Sequence, residues 1–180
     1  MDKKMLSKLH NKKIFYLKKD IFESTRKIVS CENKSYKIII PHVCNNINLF
    51  GAGFAHHVAK NYPMVKENFH LLGKKSCLGY TQFVSAFINP KTNSQIIFAN
   101  MIAQNKTIGA ENPRPLNYAA LTVCMTEVKR YIDNIKLNND IETSIHAPKF
   151  GSGLAGGNWS FIECLIQDIW HNTTTFIYYL

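Results

Sequence analysis

The sequence predicts an α/β fold, a sandwich of helices around a mixed sheet, on three observations. Strand-like and helix-like segments alternate along the 180 residues, the pattern of a layered α/β domain. Residues 37–43 (KIIIPHV) are apolar on both faces, as a central strand covered by helices on each side must be. Two glycine loops, in residues 44–53 and 148–157, each lie between a strand and a helix.

In chain order, residues 13–21 read as a first strand ending at Asp20, and 24–36 as polar and irregular. The strand at 37–43 follows, although Pro41 argues against regular pairing throughout. Residues 54–62 read as a helix stopped by Pro63, and 65–72 as a further helical turn or two. Two strands, 80–88 and 96–102, flank the turn NPKTNSQ, the second of them central. A polar loop (104–115) leads to the clearest helix, 117–135, with Leu121, Cys124, Met125, Val128, Ile132 and Ile135 at helical spacing. A strand at 143–147 and a last helix from about Asn158 enclose the second glycine loop. That helix is expected to present Phe161, Leu165, Ile166 and Ile169 on one face, with Ser160 and Glu163 as a capping pair. Residues 175–179 (TFIYY) close the chain as a strand. The length suits one domain, read as residues 13–180 behind a basic arm, 1–12.

The net charge of +10 favours an anionic partner, but seven lysines within the first nineteen residues make part of it a solvated arm. The five cysteines form no C-x-x-C pair and several sit at apolar positions, so reduced, buried thiols in a cytoplasmic-type compartment are expected. No apolar run reaches membrane length, and the start of the chain is too charged for a secretory signal, so a soluble, intracellular protein is expected. The histidines and cysteines show no metal-ligand spacing, and neither a metal nor a cofactor is expected.

The second loop, PKFGSGLAGG, carries Gly151, Gly153, Gly156 and Gly157 ahead of a helix. Glycines let a ligand approach successive N–H groups, and a helix N-terminus adds its own unpaired donors, so the loop suits phosphate. GSGLAG matches G-x-G-x-x-G, yet no Asp or Glu follows Asp168 to hold a ribose, so a Rossmann site is excluded. No Gly-Lys-Ser/Thr is present for a Walker loop. The first loop, NNINLFGAGFAHH, repeats the same physics after a strand, so the pair can grip a diphosphate from two sides. Asn45 offers both a donor and an acceptor to ribose hydroxyls, or serves as an ordinary Asx-turn residue.

The pairing of HVCNNINLFGAGFA with APKFGSGLAGGNW, separated by the strand FANMIAQ, resembles a macro domain. The likeness is to the branch holding ADP-ribose-1″-phosphate-processing proteins and terminal ADP-ribose glycohydrolases. The resemblance implies a three-layer α/β/α sandwich with a mixed central sheet, binding ADP-ribose at the strand ends. It implies that Asp20 accepts from the adenine amino group and Ile21 contacts the base. It further implies that Asn45 holds the distal ribose, that Gly51, Ala52, Gly53 and Phe54 form the first loop, and that Ser152, Gly153, Leu154, Ala155 and Gly156 hold the diphosphate. Tyr178 or Tyr179 falls beside the adenine.

The resemblance stops short of an activity, because Ala55 and Ala155 stand where hydrolase branches carry aspartates, and FANMIAQ has no counterpart of their lysine. His42 and His57 are the remaining candidates for acid–base work, with His56 beside them, while His146 reads as core. ADP-ribose-1″-phosphate phosphatase activity is therefore favoured, with an ADP-ribosyl-protein hydrolase and a non-catalytic ADP-ribose reader as alternatives. An ADP-ribosylated protein is a possible target and a monomer is expected. Nucleic-acid binding through the arm is the weakest reading, since only Phe15 and Tyr16 lie near its lysines.

Overall fold

The computed structural model describes residues 13–138 and 141–179; the arm at 1–12 lies outside them. Six strands form one sheet in the order β1 (Ile14–Lys18), β6 (Thr175–Tyr179), β5 (Glu142–Pro148), β2 (Tyr36–Asn45), β4 (Gln95–Gln104) and β3 (Thr81–Ile88). All neighbours are parallel except β3, which runs antiparallel to β4. β2 and β4 are buried nearly end to end, matching their unbroken apolar sequence.

Strand alternation divides the interior in two. Ile39, Ile97, Ala99, Ile145 and Ile177 face one side, against α4 (Tyr118–Asn138) and α5 (Trp159–Ile169). Ile38, Ile40, Cys44, Ile96 and Phe98 face the other. That side is covered by α1 (Ile21–Val29), α2 (Gly53–Asn61) and α3 (Pro63–His70). The result is the three-layer α/β/α sandwich with a mixed sheet.

Several local expectations need correction. β1 ends at Lys18, and α1 takes in Ile21 from the expected strand and runs on into the stretch read as irregular, with Ile21, Phe22, Thr25 and Val29 buried along one side. Asp20 caps it by accepting from Glu23 N at 2.7 Å. α5 is capped by Asn158, whose side chain accepts from Phe161 N, not by the Ser160–Glu163 pair. Its buried residues are Ile162 and Ile166, while Phe161 is exposed. Only Cys44 and Cys124 are buried thiols; Cys31, Cys77 and Cys164 are exposed. Among the described residues no helix is long and apolar enough to cross a membrane.

Candidate functional site

Parallel pairing brings the carboxyl ends of β1, β6, β5, β2 and β4 to one edge of the sheet. There β2 and β5 part: their pairing stops at Ile39↔Ile145, although β2 continues to Asn45 and β5 to Pro148. Pro41 has no N–H to offer a neighbouring strand, a local reason for the separation. The gap opens into a cleft of about 800 Å³, lined from one side by Asn45 and residues 49–55 and from the other by residues 148–151 and 153–155. Gln104, Thr107 and Ile108 complete the wall. Among the described residues no Asp or Glu lines it, and Lys149 brings the one ammonium group.

Side chains build the first loop. Asn45 Oδ1 accepts from Ile47 N and Leu49 N at 3.1 and 3.0 Å, while its Nδ2 donates to Leu49 O at 2.6 Å. Its oxygen is thus committed to the Asx turn, and only its second amide hydrogen is left for a sugar hydroxyl. Asn46 and Asn48 anchor the loop outward, to Asn105 and Lys106 and to His70. The loop delivers the chain into α2 at Ala52, which provides no side-chain cap. The first-turn N–H groups of α2 therefore lack a side-chain acceptor where Ala52, Gly53, Phe54 and Ala55 line the cleft.

Backbone bonds build the second loop. Gly157 N donates to Gly151 O and Gly156 N to Gly153 O, both at 2.8 Å, and Leu116 N donates to Ala155 O at 3.0 Å. Ser152 Oγ donates to Lys149 O. The N–H groups of Ser152, Gly153 and Leu154 make no hydrogen bond among the described residues. The expected contribution of the helix after this loop is corrected: Asn158 already caps α5, and its own N–H donates to Tyr118 Oη.

The glycines divide by what a side chain would meet. A methyl at Gly157 would lie 2.3 Å from Leu116 Cδ2, and one at Gly156 (φ +70) 2.9 Å from Pro113 O. At Gly51 and Gly153 it would meet nothing. At Gly53 (φ +54) it would meet Leu154 Cδ1 at 3.5 Å, so the two loops come close there.

Phe54 and Leu154 flank the cleft, whereas Ser152 is not part of its lining. Asp20 and Ile21 stand outside the lining too, Asp20 exposed in a separate shallow hollow with Glu23 and Arg26, and Ile21 buried in the first turn of α1. They lie at the same sheet edge, three strands from β2, roughly 14 Å at ~4.8 Å per strand.

His42 lines the cleft floor but is 1 % exposed, with Nε2 2.7 Å from Asn100 Oδ1 and its ring edge-on to Phe50, Phe54 and Phe98. Burial pushes its pKa down to about 4, against a smaller upward pull from Asn100, so the ring is neutral at pH 7. The expected proton donor is thus a neutral, enclosed imidazole. His57 is exposed on α2, beside His56 and outside the cleft lining. His146 bonds Ser144 and Tyr178 in the core, and burial pushes it down to about 3. Lys149 was not singled out by sequence reasoning, although it stands inside the PKFGSG motif.

No protein-family model matches the sequence. Enterobacteria phage T4 has an uncharacterised 17.5 kDa protein, from the tk–vs intergenic region, that is 31% identical over 133 residues, 71% of this chain and 77% of that one. A Bacteroides thetaiotaomicron protein of unknown function superposes with a TM-score of 0.72 at 29% identity, over 93% of this chain and 98% of its own. A Streptomyces coelicolor macrodomain protein gives 0.67 at 25% identity, over 93% and 99% of the two chains. The fold alone is shared with Thermosipho africanus DarTG, solved in complex with ADP-ribose, at a TM-score of 0.66 and 16% identity over 92% of this chain and 41% of that one. With its glycine loops facing each other across the parted strands of a mixed sheet, the chain belongs to the macro-domain family.

Proposed function

We propose that the cleft binds ADP-ribose, with the diphosphate between the two loops, the distal ribose toward Asn45 and the adenine toward Asp20 and Ile21. The observation that carries this is the uncapped first turn of α2 opposite the unbonded N–H groups of Gly153 and Leu154. Such donors are suited to a diphosphate, and the roughly 14 Å between β1 and β2 suits an elongated dinucleotide-like ligand. DarTG, part of which shares this fold and which was solved in complex with ADP-ribose, supports the choice. Calorimetry should give a dissociation constant near micromolar, about −8 kcal/mol, with AMP binding more weakly. No heat and no competition up to millimolar ADP-ribose would end the proposal.

For chemistry, the absence of any Asp or Glu from the cleft lining among the described residues favours the 1″-phosphate ester over an ADP-ribosyl protein as substrate. Amide donors and Lys149 stabilise a terminal phosphate, whereas removal of ADP-ribose from protein asks for a carboxylate to activate water. The enclosure of neutral His42 favours a second reading, a reader that binds without turnover. Purified protein given ADP-ribose 1″-phosphate and, separately, mono-ADP-ribosylated protein distinguishes them. Phosphate release supports the phosphatase, ADP-ribose release overturns the preference, and neither leaves the reader.

A further inference from the structure

Aromatic rings that are scattered in sequence meet cations on the outer side of the second loop. Lys149 Nζ lies 6.0 Å from the ring centre of Tyr16 and 5.8 Å from those of Trp159 and Tyr179. Lys18 follows Tyr16 on the same face of β1 and pairs in register with Tyr179. On the other flank of the first turn of α5, Arg114 stands 5.2 Å over Tyr118, whose ring meets Phe161 edge-on at 4.8 Å. Tyr16, Tyr179 and Phe161 are 36, 40 and 48 % exposed.

The rings are held in place. Trp159 Nε1 donates to Tyr16 Oη, and Tyr16 Oη donates to Glu163 Oε1 at 2.5 Å. Burial, then the Glu163 bond, pushes Tyr16 up to about 12, so the hydroxyl stays protonated and the bond persists. Glu163 is thereby engaged with Tyr16, and Lys18, Lys149 and Arg114 form no ion pair among the described residues. At the opposite edge of the sheet, Lys34 and Lys91 are paired with Glu142 and Glu32.

We propose that Tyr16, Trp159, Tyr179 and Phe161, interleaved with Lys18, Lys149 and Arg114, form a surface that binds single-stranded nucleic acid beside the cleft. Unpaired cations alone suit any polyanion. Exposed rings among them add stacking faces for bases, which an acidic peptide does not supply. The net charge of +10 provides the long-range attraction.

The test uses the full chain and a fluorescein-labelled dT12 oligonucleotide, read by anisotropy across a salt series. Phe161→Ala and Tyr16→Leu leave the charge unchanged and should each weaken binding by at least ~5-fold, the lower end of one stacked base. Arg114→Ala should flatten the log–log salt slope by about 0.7, one single-strand phosphate contact. Unlabelled dT12 should quench tryptophan fluorescence, a signal arising from Trp159 because Trp170 is 1 % exposed. Saturating ADP-ribose shares Lys149 with this surface and should at most weaken oligonucleotide binding, without displacing the strand. Melting curves confirm that each variant is folded; if Tyr16→Leu is not, Phe161→Ala decides. Wild-type affinity in both ring variants would assign binding to lysine charge alone and overturn the proposal. So would displacement by ADP-ribose, which places the strand in the cleft, or equal competition by polyglutamate.

Discussion

The two loops that face each other across the cleft reach similar shapes by different chemistry. The first is tied by asparagine side chains, with Asn45 alone making three hydrogen bonds to its backbone. The second is tied by backbone bonds that pass through positions only glycine fills, Gly156 and Gly157 above all. A high glycine count is therefore mixed evidence for a ligand. Part of it records how closely the loop packs on Leu116 and Pro113, and the glycines left open to the cleft are Gly51 and Gly153.

Two buried neutral histidines, His42 beneath the first loop and His146 in the core beside Tyr178, give the largest expected effect. His42 and His146 have folded pKa values of about 4 and about 3 against an unfolded value near 6.5. The unfolded chain binds more protons below pH 6.5, so stability is full above that value and falls as pH drops toward the folded values. At pH 5 each histidine should cost about 2 kcal/mol. Urea unfolding at pH 7.5 and pH 5 should thus differ by about 4 kcal/mol in the native chain and about half that in His42→Gln. An undiminished difference in His42→Gln would mean that the first loop has no such histidine beneath it.

Glycine substitutions should separate packing from ligand access within the same loop. Gly157→Ala meets Leu116 and Gly151 O, and Gly156→Ala adds a side chain at φ +70 against Pro113 O. Each should cost roughly 1–3 kcal/mol, lowering Tm by about 2–4 °C per kcal/mol. Gly153→Val and Gly51→Val should stay within about 0.5 kcal/mol of native stability and abolish ADP-ribose binding. A Gly153→Val protein that still binds would show that the phosphate is elsewhere.

Much of this was legible from sequence because the sheet is. Double-sided apolar runs mark β2 and β4, and the parallel pairing of β2 with β5 fixes where the two loops emerge. What escaped depends on contacts between distant residues. α1 was hidden in a polar segment, although Asp20 followed by Glu23 and the spacing of Ile21, Phe22, Thr25 and Val29 carry its signal. The ring cluster around Lys149 was not readable, since Tyr16, Trp159 and Tyr179 come from three separate elements. The enclosure of His42 follows from the phenylalanines of a loop, a helix and a neighbouring strand.

A smaller effect should come from Asn45, where the two loops differ most. Asn45→Ala removes an acceptor shared by two N–H groups and should cost about 1–2 kcal/mol, part of it recovered by water at this exposed loop. Asn45→Asp keeps the acceptor, loses the bond to Leu49 O, and sets a negative charge beside the proposed diphosphate. Its affinity for ADP-ribose should fall more than its stability, and a titration beside a melting curve reads both. Equal losses would make Asn45 a structural residue alone.

The smallest expected effect tests how far the proposed ligand reaches beyond the two loops. Asp20 has two separable duties, since Oδ1 caps α1 through Glu23 N while the exposed carboxylate is available to the adenine amino group. Asp20→Asn retains a side-chain oxygen for the cap, so stability should change by only a few tenths of a kcal/mol, whereas Asp20→Ala should lose about 1 kcal/mol. In both variants the charged acceptor for the adenine is gone, and ADP-ribose affinity should fall by roughly 1–3 kcal/mol. ADP-ribose and ribose 5-phosphate titrations of Asp20→Asn make the distinction sharp, because ribose 5-phosphate has no adenine to lose. A loss confined to ADP-ribose would set the adenine at the end of β1; equal behaviour of native and Asp20→Asn protein toward ADP-ribose would confine the ligand to the cleft between the loops.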